Sequence, residues 1–504
     1  MTAPPSPGPA PKPQHAAPIA APTGTRDLYP IELARRRFIE DKWRKVAIRH
    51  GFDEIDGPTF EHASLYAVKS GDGILGELFQ TFSGKDEERV KKMGAALATG
   101  ERGGDAMAPY ALRPEFTPTL ARMYAARAKQ LPQPTKWFWQ GTCFRAERPQ
   151  RGRLREFWQW NCDIIGGADS LSADVEAFAC CVDLLQACGL TPADVTIKIS
   201  DRTVFSEMLV SVGIQRSSVP SWLVLIDRFA SLSESDRMTE AARFGATAEE
   251  LLRVTHLLSG TDPEARHQAE AALHARGLGN TAEEIKSAAR ELVRVQIGTS
   301  VESMNRLAEE VAKAGLLRWF HLDTKVVRGL AYYTGMVFEV HETSGAMRAI
   351  AGGGRYDNLI ELFGGPPTPA VGFGMGDVVL SLVLQDKKGP DGKALMPSDR
   401  DIAAALGLRP DAFVISNGLS ESDAQVAPLL ASLRRAGLHA RRSYKSTKNI
   451  GKLLKEGADA GARFAVIIEN GAEATVKDLD TNQQRPDKVP LASVPASIPA
   501  PTRP

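Results

Sequence analysis

The stretch FRAERPQRGRLREFWQWNCD, Phe144 to Asp163, limits what this chain can fold into more than any other part of it. Arginine stands at 145, 148, 151, 153 and 155, and Trp158, Trp160 and Cys162 follow at once. Successive side chains on a strand point to opposite faces. One face then carries Phe157, Gln159, Asn161 and Asp163, and the other carries Trp158, Trp160, Cys162 and Ile164. The second face reads as core. The first holds one aromatic ring, two amides and a carboxylate, which suits the wall of a polar pocket better than an apolar packing surface. The Pro-Gln-Arg-Gly turn ahead of it is flanked by arginines, whose guanidiniums pair with phosphate through two parallel bonds. The segment therefore predicts a hairpin with a rigid pocket-forming strand and a tip that closes on a polyanion. A merely solvated basic tip is the plainer reading, and the one-sided polar face counts against it.

At 504 residues the chain is long enough for roughly two to four domains. It is 43% hydrophobic and 24% charged with a formal net charge of +1, so any anionic partner must be met by local patches. The five cysteines show no CxxC spacing and read as reduced, buried thiols of a cytoplasmic protein, without a metal site. No apolar run of about 18 residues suggests a membrane helix. Residues 1–22 lack the basic and leucine-rich regions of a signal peptide and read as a disordered Pro/Ala tail.

A charged amphipathic helix is expected from Ile31 to His50, with Leu33, Phe38, Trp43 and Val46 as its apolar positions. The Gly- and charge-rich segment 85–108 reads as a loop. Helical spacing over 205–317 reads as an insertion that separates 23–204 from 318–384, two parts of one unit. A linker, 385–408, leads to a unit over 409–488 in which strand and helix signals alternate, as in a small, mainly parallel sheet. Residues 489–504, ending in ASVPASIPAPTRP, read as a second disordered tail.

The segment FRAERPQRGRLREFWQWNCDIIG resembles the second signature motif of class II aminoacyl-tRNA synthetases, in its histidyl form. The resemblance implies that Arg145 holds the α-phosphate of ATP and the reacting carboxylate, that Phe157 stacks on adenine, and that Glu147 and Arg153 help bind the nucleotide. LRPEFTPTLAR is similar to the family's substrate loop, which implies amino-group contacts from Glu115 and Thr117, aided by Gln159. Asp163 falls where the family places an acid against the substrate imidazole. VRGLAYYTGMVFE and AGGGRYDNLI resemble the histidine-specific segment and the strand after it. They imply that Tyr333 bonds the imidazole, that Tyr356 closes the pocket, and that Arg328 stabilises the transition state. The residue types also make chemical sense. A zwitterion with a two-faced ring needs a carboxylate for its ammonium and partners for both ring nitrogens. Attack of a carboxylate on a phosphate brings two anions together, which arginine and Mg²⁺ must neutralise.

The resemblance covers roughly 23–384 and 412–481. It implies an α+β multidomain protein: an antiparallel class II sheet flanked by helices, a helical insertion and a C-terminal α/β anticodon-binding domain. It further implies a cytoplasmic homodimer using histidine, ATP and tRNA-His. In HARRSYKSTKNIGKLLK the family match makes Arg441, Arg442, Lys445 and Lys448 candidates for tRNA phosphates. Pro58, in GFDEIDGPTFE, falls where the family has a dimer-interface proline. Two positions depart from the pattern. Ala331 stands where many members have aspartate, and Val379 where an arginine usually grips the γ-phosphate. Arg148, Arg151 and Arg122 are candidate replacements. The departures favour an alternative, the non-catalytic, histidine-sensing regulatory subunit of ATP phosphoribosyltransferase. The retained Arg328 and the C-terminal segment GARFAVIIENGAEATVKDLDT, which that paralogue lacks, favour the enzyme. A protein that only binds RNA needs no pocket acids.

Overall fold

The computed structural model describes residues 19–70, 76–83, 85, 87–99, 108–229, 232–259, 299–323, 326, 332–445 and 447–499. In chain order the strands are β1 (Asp53–Glu54), β2 (Phe60–His62), β3 (Gln80–Thr81), β4 (Tyr110–Leu112), β5 (Thr135–Phe144), β6 (Glu156–Ile165), β7 (Val195–Asp201) and β8 (Phe320–Leu322). They continue with β9 (Met336–Glu342), β10 (Ala351–Arg355), β11 (Ala370–Gly376), β12 (Ala412–Ser416), β13 (Ala440–Arg442), β14 (Phe464–Ile468), β15 (Glu473–Asp478) and β16 (Val489–Pro490). Eight form one sheet in the order β1-β5-β6-β11-β10-β9-β7-β8. Only the outer pairs β1–β5 and β7–β8 run parallel. The arginine segment is the β5–β6 hairpin, with Cys143 opposite Phe157 and Trp137 opposite Asp163.

The sheet separates the two faces of β6 as the alternation requires. Trp160, Cys162 and Ile164 join the large core, with Trp158 packed at its edge. The helix Pro30–Arg49 covers that side, with proline in its first turn and Glu32 at its positive end. Its Trp43 stacks on Trp160 at 6.0 Å, with the rings 11° apart. Of the expected apolar positions Trp43 and Val46 are buried, together with Ala34, Ile39 and Ala47, while Leu33 and Phe38 are only half-buried. The helix Ser170–Ala187, capped by Asp169, lies beside it. Arg355 clamps this helix to β10 through Asp174 (2.6 Å) and the Ser170 carbonyl (2.6 Å). On the other face, Phe116, Tyr124, Trp139, Tyr333 and Tyr356 build a second, aromatic cluster.

The described part of the segment between β7 and β8 comprises the helices Arg202–Ser211, Val219–Arg228, Glu234–Arg243, Ala248–Ser259 and Thr299–Lys313. The C-terminal sheet, β13-β12-β14-β15-β16, has three parallel strands followed by two antiparallel ones. Among the described residues no helix is long and apolar enough to cross a membrane.

Three compositional readings are corrected. Within 85–108 lies the helix Glu87–Ala98, where Glu87 and Glu88 favour the first turn despite Gly94. The linker contains the helix Asp399–Ala405, capped by Ser398, with Ile402 buried and Asp399 paired to Arg35 at 2.7 Å. The terminal segment is no loose tail over its described part: β16 pairs with β15, and the helix Val494–Ser497 follows. Val494 and Ile498, one helical turn apart, are buried in the C-terminal core. Proline in the first turn of that helix is compatible with it, which is why proline content misled.

Candidate active site

Above the polar face of β6 lies a cavity of about 1090 Å³. Phe157, Gln159, Asn161 and Asp163 all line it, so the strand's alternation becomes the cavity floor. At about 3.3 Å per residue, Phe157 and Asp163 lie about 20 Å apart along the strand, room for two molecular groups end to end. Across from them run glycines: Asp163 faces Gly372, Asn161 faces Gly374 and Gln159 faces Gly376. A Cβ at Gly372 would lie 2.0 Å from Asp163 Oδ1, and one at Gly374 would lie 2.6 Å from Gln159 Nε2. The bare backbone of β11 is what lets polar side chains occupy this floor.

One end of the cavity is a carboxylate set among phenols. Tyr356 Oη donates to Asp163 Oδ1 at 2.5 Å, and both residues are 1% exposed. Burial, and then the charge of Asp163, hold the Tyr356 hydroxyl well above its ordinary range, so it remains a donor. Tyr333 lines the same end, its ring 4.5 Å from that of Tyr332, which meets Tyr356 edge-on at 5.8 Å. Glu115 and Thr117 enter from the start of the helix Thr117–Arg127. Gln159 Nε2 donates to Asn161 Oδ1 at 2.7 Å, and Asn161 Nδ2 reaches Thr117 Oγ1 at 3.5 Å. Arg113 fixes this segment by donating to the carbonyls of Thr142 and Gly57, both at 2.9 Å.

The other end is cationic. Arg145 Nε donates to the Pro114 carbonyl at 3.1 Å, and its guanidinium lies 5.1 Å over the Phe157 ring. Arg153 is ion-paired with Glu147. Burial lowers the Arg153 pKa, and the positive charges of Arg348 and Arg145 lower it further. The N-terminal segment braces the hairpin: the Gly24 carbonyl accepts from Arg155 N at 2.8 Å, and Arg26 pairs with Asp377 at 2.8 Å. Asp377 in turn accepts from Trp158 N at 2.9 Å.

The cavity therefore gathers Arg145, Glu147, Arg153, Phe157, Glu115, Thr117, Gln159, Asp163, Tyr333 and Tyr356. Arg328 and Ala331 lie outside the described residues. Val379 lines the cavity and is 7% exposed. The suggested replacements for the missing arginine are elsewhere: Arg122 bonds Glu61 at 2.6 Å, Arg151 reaches Asp386 at 3.4 Å, and Arg148 is not on the cavity wall. Sequence reasoning assigned no role to Arg348, Glu339 and His341, which do line it. Arg348 precedes the glycine-rich strand by three residues, and Glu339 and His341 share one face of β9, but no local pattern singles them out.

In the C-terminal unit, Lys445 lines a second cavity of about 640 Å³ with Thr447, Lys452, Lys455, Glu456 and Asp459. Arg441, Arg442 and Lys448 do not line it. Arg441 and Arg442 are adjacent on β13 and so point to opposite faces. Arg442 lies 4.6 Å over the ring of Tyr444, which is 83% exposed.

An antiparallel sheet with an arginine hairpin, and a cavity whose two ends suit a nucleotide and an amino acid, define a class II aminoacyl-tRNA synthetase core. Residues 104–376 match the family model described as histidyl-tRNA synthetase. Over 477 residues the chain is 34% identical to a histidine–tRNA ligase of Opitutus terrae, covering 94% of this chain and 97% of that protein. It is 31% identical over 491 residues to a histidine–tRNA ligase of Haloarcula marismortui, covering 95% of this chain and 97% of that one. The crystal structure of histidyl-tRNA synthetase from a Nostoc species shares the fold, with a TM-score of 0.63 at 20% identity over 96% of this chain and 99% of that one. The chain belongs to the histidyl-tRNA synthetase family.

Proposed function

We propose that this protein is a histidine–tRNA ligase, which joins histidine and ATP into histidyl-adenylate and passes the histidyl group to the 3′ end of tRNA-His. The observation that carries the reading is the two-ended cavity, with Asp163 and Tyr356 at one end and Arg145, Arg153 and Phe157 at the other. Asp163, Tyr333 and Tyr356 would recognise the imidazole. Glu115, Thr117 and Gln159 would hold the ammonium, placing the carboxylate near Arg145. Phe157 would stack on adenine once Arg145 turns to the α-phosphate, while Glu147 and Arg153 orient the nucleotide. Arg328 keeps the transition-state role that resemblance assigns. A carboxylate oxygen then attacks the α-phosphorus, pyrophosphate leaves, and a hydroxyl of the terminal ribose takes the acyl group with release of AMP.

Mg²⁺ belongs to this proposal. It prefers one or two carboxylates together with substrate phosphates. Glu339, on the cavity wall 2.9 Å from His341, offers such a carboxylate. When bound, the ion would neutralise phosphate charge. Arg441, Arg442, Lys445 and Lys448 are assigned to tRNA phosphates. A homodimer would use the region of Pro58, where Phe60 is 55% exposed. We place the protein in the cytoplasm. A histidine sensor needs only the carboxylate end, whereas the arginine end and the C-terminal sheet both support the ligase. The test is histidine-dependent exchange of pyrophosphate into ATP. Intact histidine binding without exchange would leave the sensor as the better reading.

A further inference from the structure

Val379 leaves the triphosphate end of the cavity short of a cation, and its place in the fold shows what it does instead. It is the third residue of the helix Asp377–Asp386 and belongs to the main core. Gly152, at the hairpin tip, lies so close that an added Cβ would be 3.3 Å from Val379 Cγ2. The position is an apolar seat for the tip.

Another guanidinium lines the same wall. Arg348 sits in the connection from β9 to β10, two residues before Ile350. Ile350 N donates to the Val340 carbonyl at 2.7 Å, and the Ile350 carbonyl accepts from Gly376 N at 3.3 Å. Gly376 is the N-cap of the helix carrying Val379. Backbone bonds thus pin the two segments together, and Arg348, Ile350, Gly376 and Val379 border one volume. The cationic groups there are not equivalent. Arg153 is held by Glu147, and Arg145 by the Pro114 carbonyl. Arg348 is exposed and forms no ion pair with any described residue. Its charge nevertheless reaches Arg153. Like charges facing one cavity repel each other until an anion enters between them.

We propose that Arg348 supplies the cation for the terminal phosphates of ATP, and for the departing pyrophosphate, that residue 379 does not provide. The inference rests on the ligase reading above and adds a phosphate-binding residue to it. A bond to a charged partner lost on truncation corresponds to a factor of about ten to a hundred in affinity.

The experiment compares full-length wild type, Arg348→Ala and Arg348→Lys by calorimetry with ATP, pyrophosphate and AMP, together with the exchange assay and a melting curve. In Arg348→Ala, ATP and pyrophosphate should weaken by about ten- to a hundredfold, while AMP binding, the KM for histidine and the melting curve stay at wild-type values. Arg348→Lys should keep a larger share of the ATP affinity. Equal weakening of ATP and AMP, or no change in either, overturns the proposal. Wild-type protein that binds ATP without any histidine-dependent exchange sinks the ligase reading separately, and the ATP-against-AMP comparison still decides Arg348.

Discussion

Replacing Tyr356 by phenylalanine deletes a single oxygen at the imidazole end of the cavity. That oxygen donates to Asp163 Oδ1 at 2.5 Å, and neither residue is more than 1% exposed, so water cannot readily take its place. The aromatic ring remains, and with it the edge-on contact to Tyr332 at 5.8 Å. What changes is the aim and hydrogen bonding of the carboxylate. A hydrogen bond to a charged group contributes about 1.5–3 kcal/mol, a factor of about ten to 150 in binding. If Asp163 recognises the imidazole, that factor belongs to histidine alone. Pyrophosphate exchange with each substrate varied in turn should show the KM for histidine rising by about ten- to a hundredfold while the KM for ATP stays put. The Tyr356 hydroxyl of the wild type is held well above its ordinary pKa, so its bond to Asp163 should persist, and the wild-type KM for histidine should not rise through loss of this proton, over the neutral range. Asp163→Asn, which keeps the shape and loses the charge, should follow the same pattern. A parallel rise in both KM values would mean that the pair merely supports the fold. An unchanged KM for histidine would remove Asp163 and Tyr356 from the recognition of substrate.

Four further outcomes are expected. Arg355→Ala strands buried Asp174, which Arg355 binds at 2.6 Å, and should cost about 3–5 kcal/mol in urea unfolding; a loss below ~1 kcal/mol contradicts the clamp. Gly372→Ala would press a methyl group on Asp163 and the Cys162 carbonyl, so about 1–3 kcal/mol of stability and much of the histidine affinity should go together; unchanged affinity refutes the close-approach argument. Hydrogen bonding to Glu176 raises His50 to about 9, and the same bond lowers Glu176 to about 2. A raised histidine stabilises fully below its unfolded value of 6.5 and loses that contribution as pH climbs through about 9. A lowered carboxyl stabilises above 4.5 and fades toward 2. The gap between wild type and His50→Gln, on the order of 1–2 kcal/mol after screening, should therefore be widest near pH 5–6 and nearly closed at pH 10; equal gaps in thermal melts at both pH values contradict it. Tyr444→Ala should weaken tRNA binding by about 1–3 kcal/mol if the exposed ring stacks on a base, with exchange unaffected, and unchanged binding removes the ring from the interface.

What the sequence made legible follows from where its signals are local. The two faces of β6 could be assigned because Trp158, Trp160 and Cys162 alternate with Gln159, Asn161 and Asp163 at the period of a strand. The C-terminal alternation of strand and helix was equally local, though the antiparallel turn from β14 to β15 was not foreseen. Register across strands was out of reach. That Gly372 lies against Asp163, and Gly374 beside Gln159, depends on pairing between segments some two hundred residues apart. Composition misled where proline or glycine was read as loop: Val494 and Ile498 are buried next to prolines, and Gly94 lies within a helix.

Val379 and Arg348 join these two kinds of information. A missing cation can be read from one position, but its replacement cannot, because only the folded β10–β11 pairing brings the two segments to one wall. The substitution also has a local rationale. Gly152 has a positive φ of 77°, and its turn settles on Val379, in contact with the core. A guanidinium there would have to enter a site only 7% exposed beneath that turn. On the exposed connection before β10, the same charge stays solvated until phosphate arrives, so its desolvation is coupled to substrate binding and not to folding. The hairpin tip thereby gains an apolar seat, and the anion meets its cation from the neighbouring segment of the same wall.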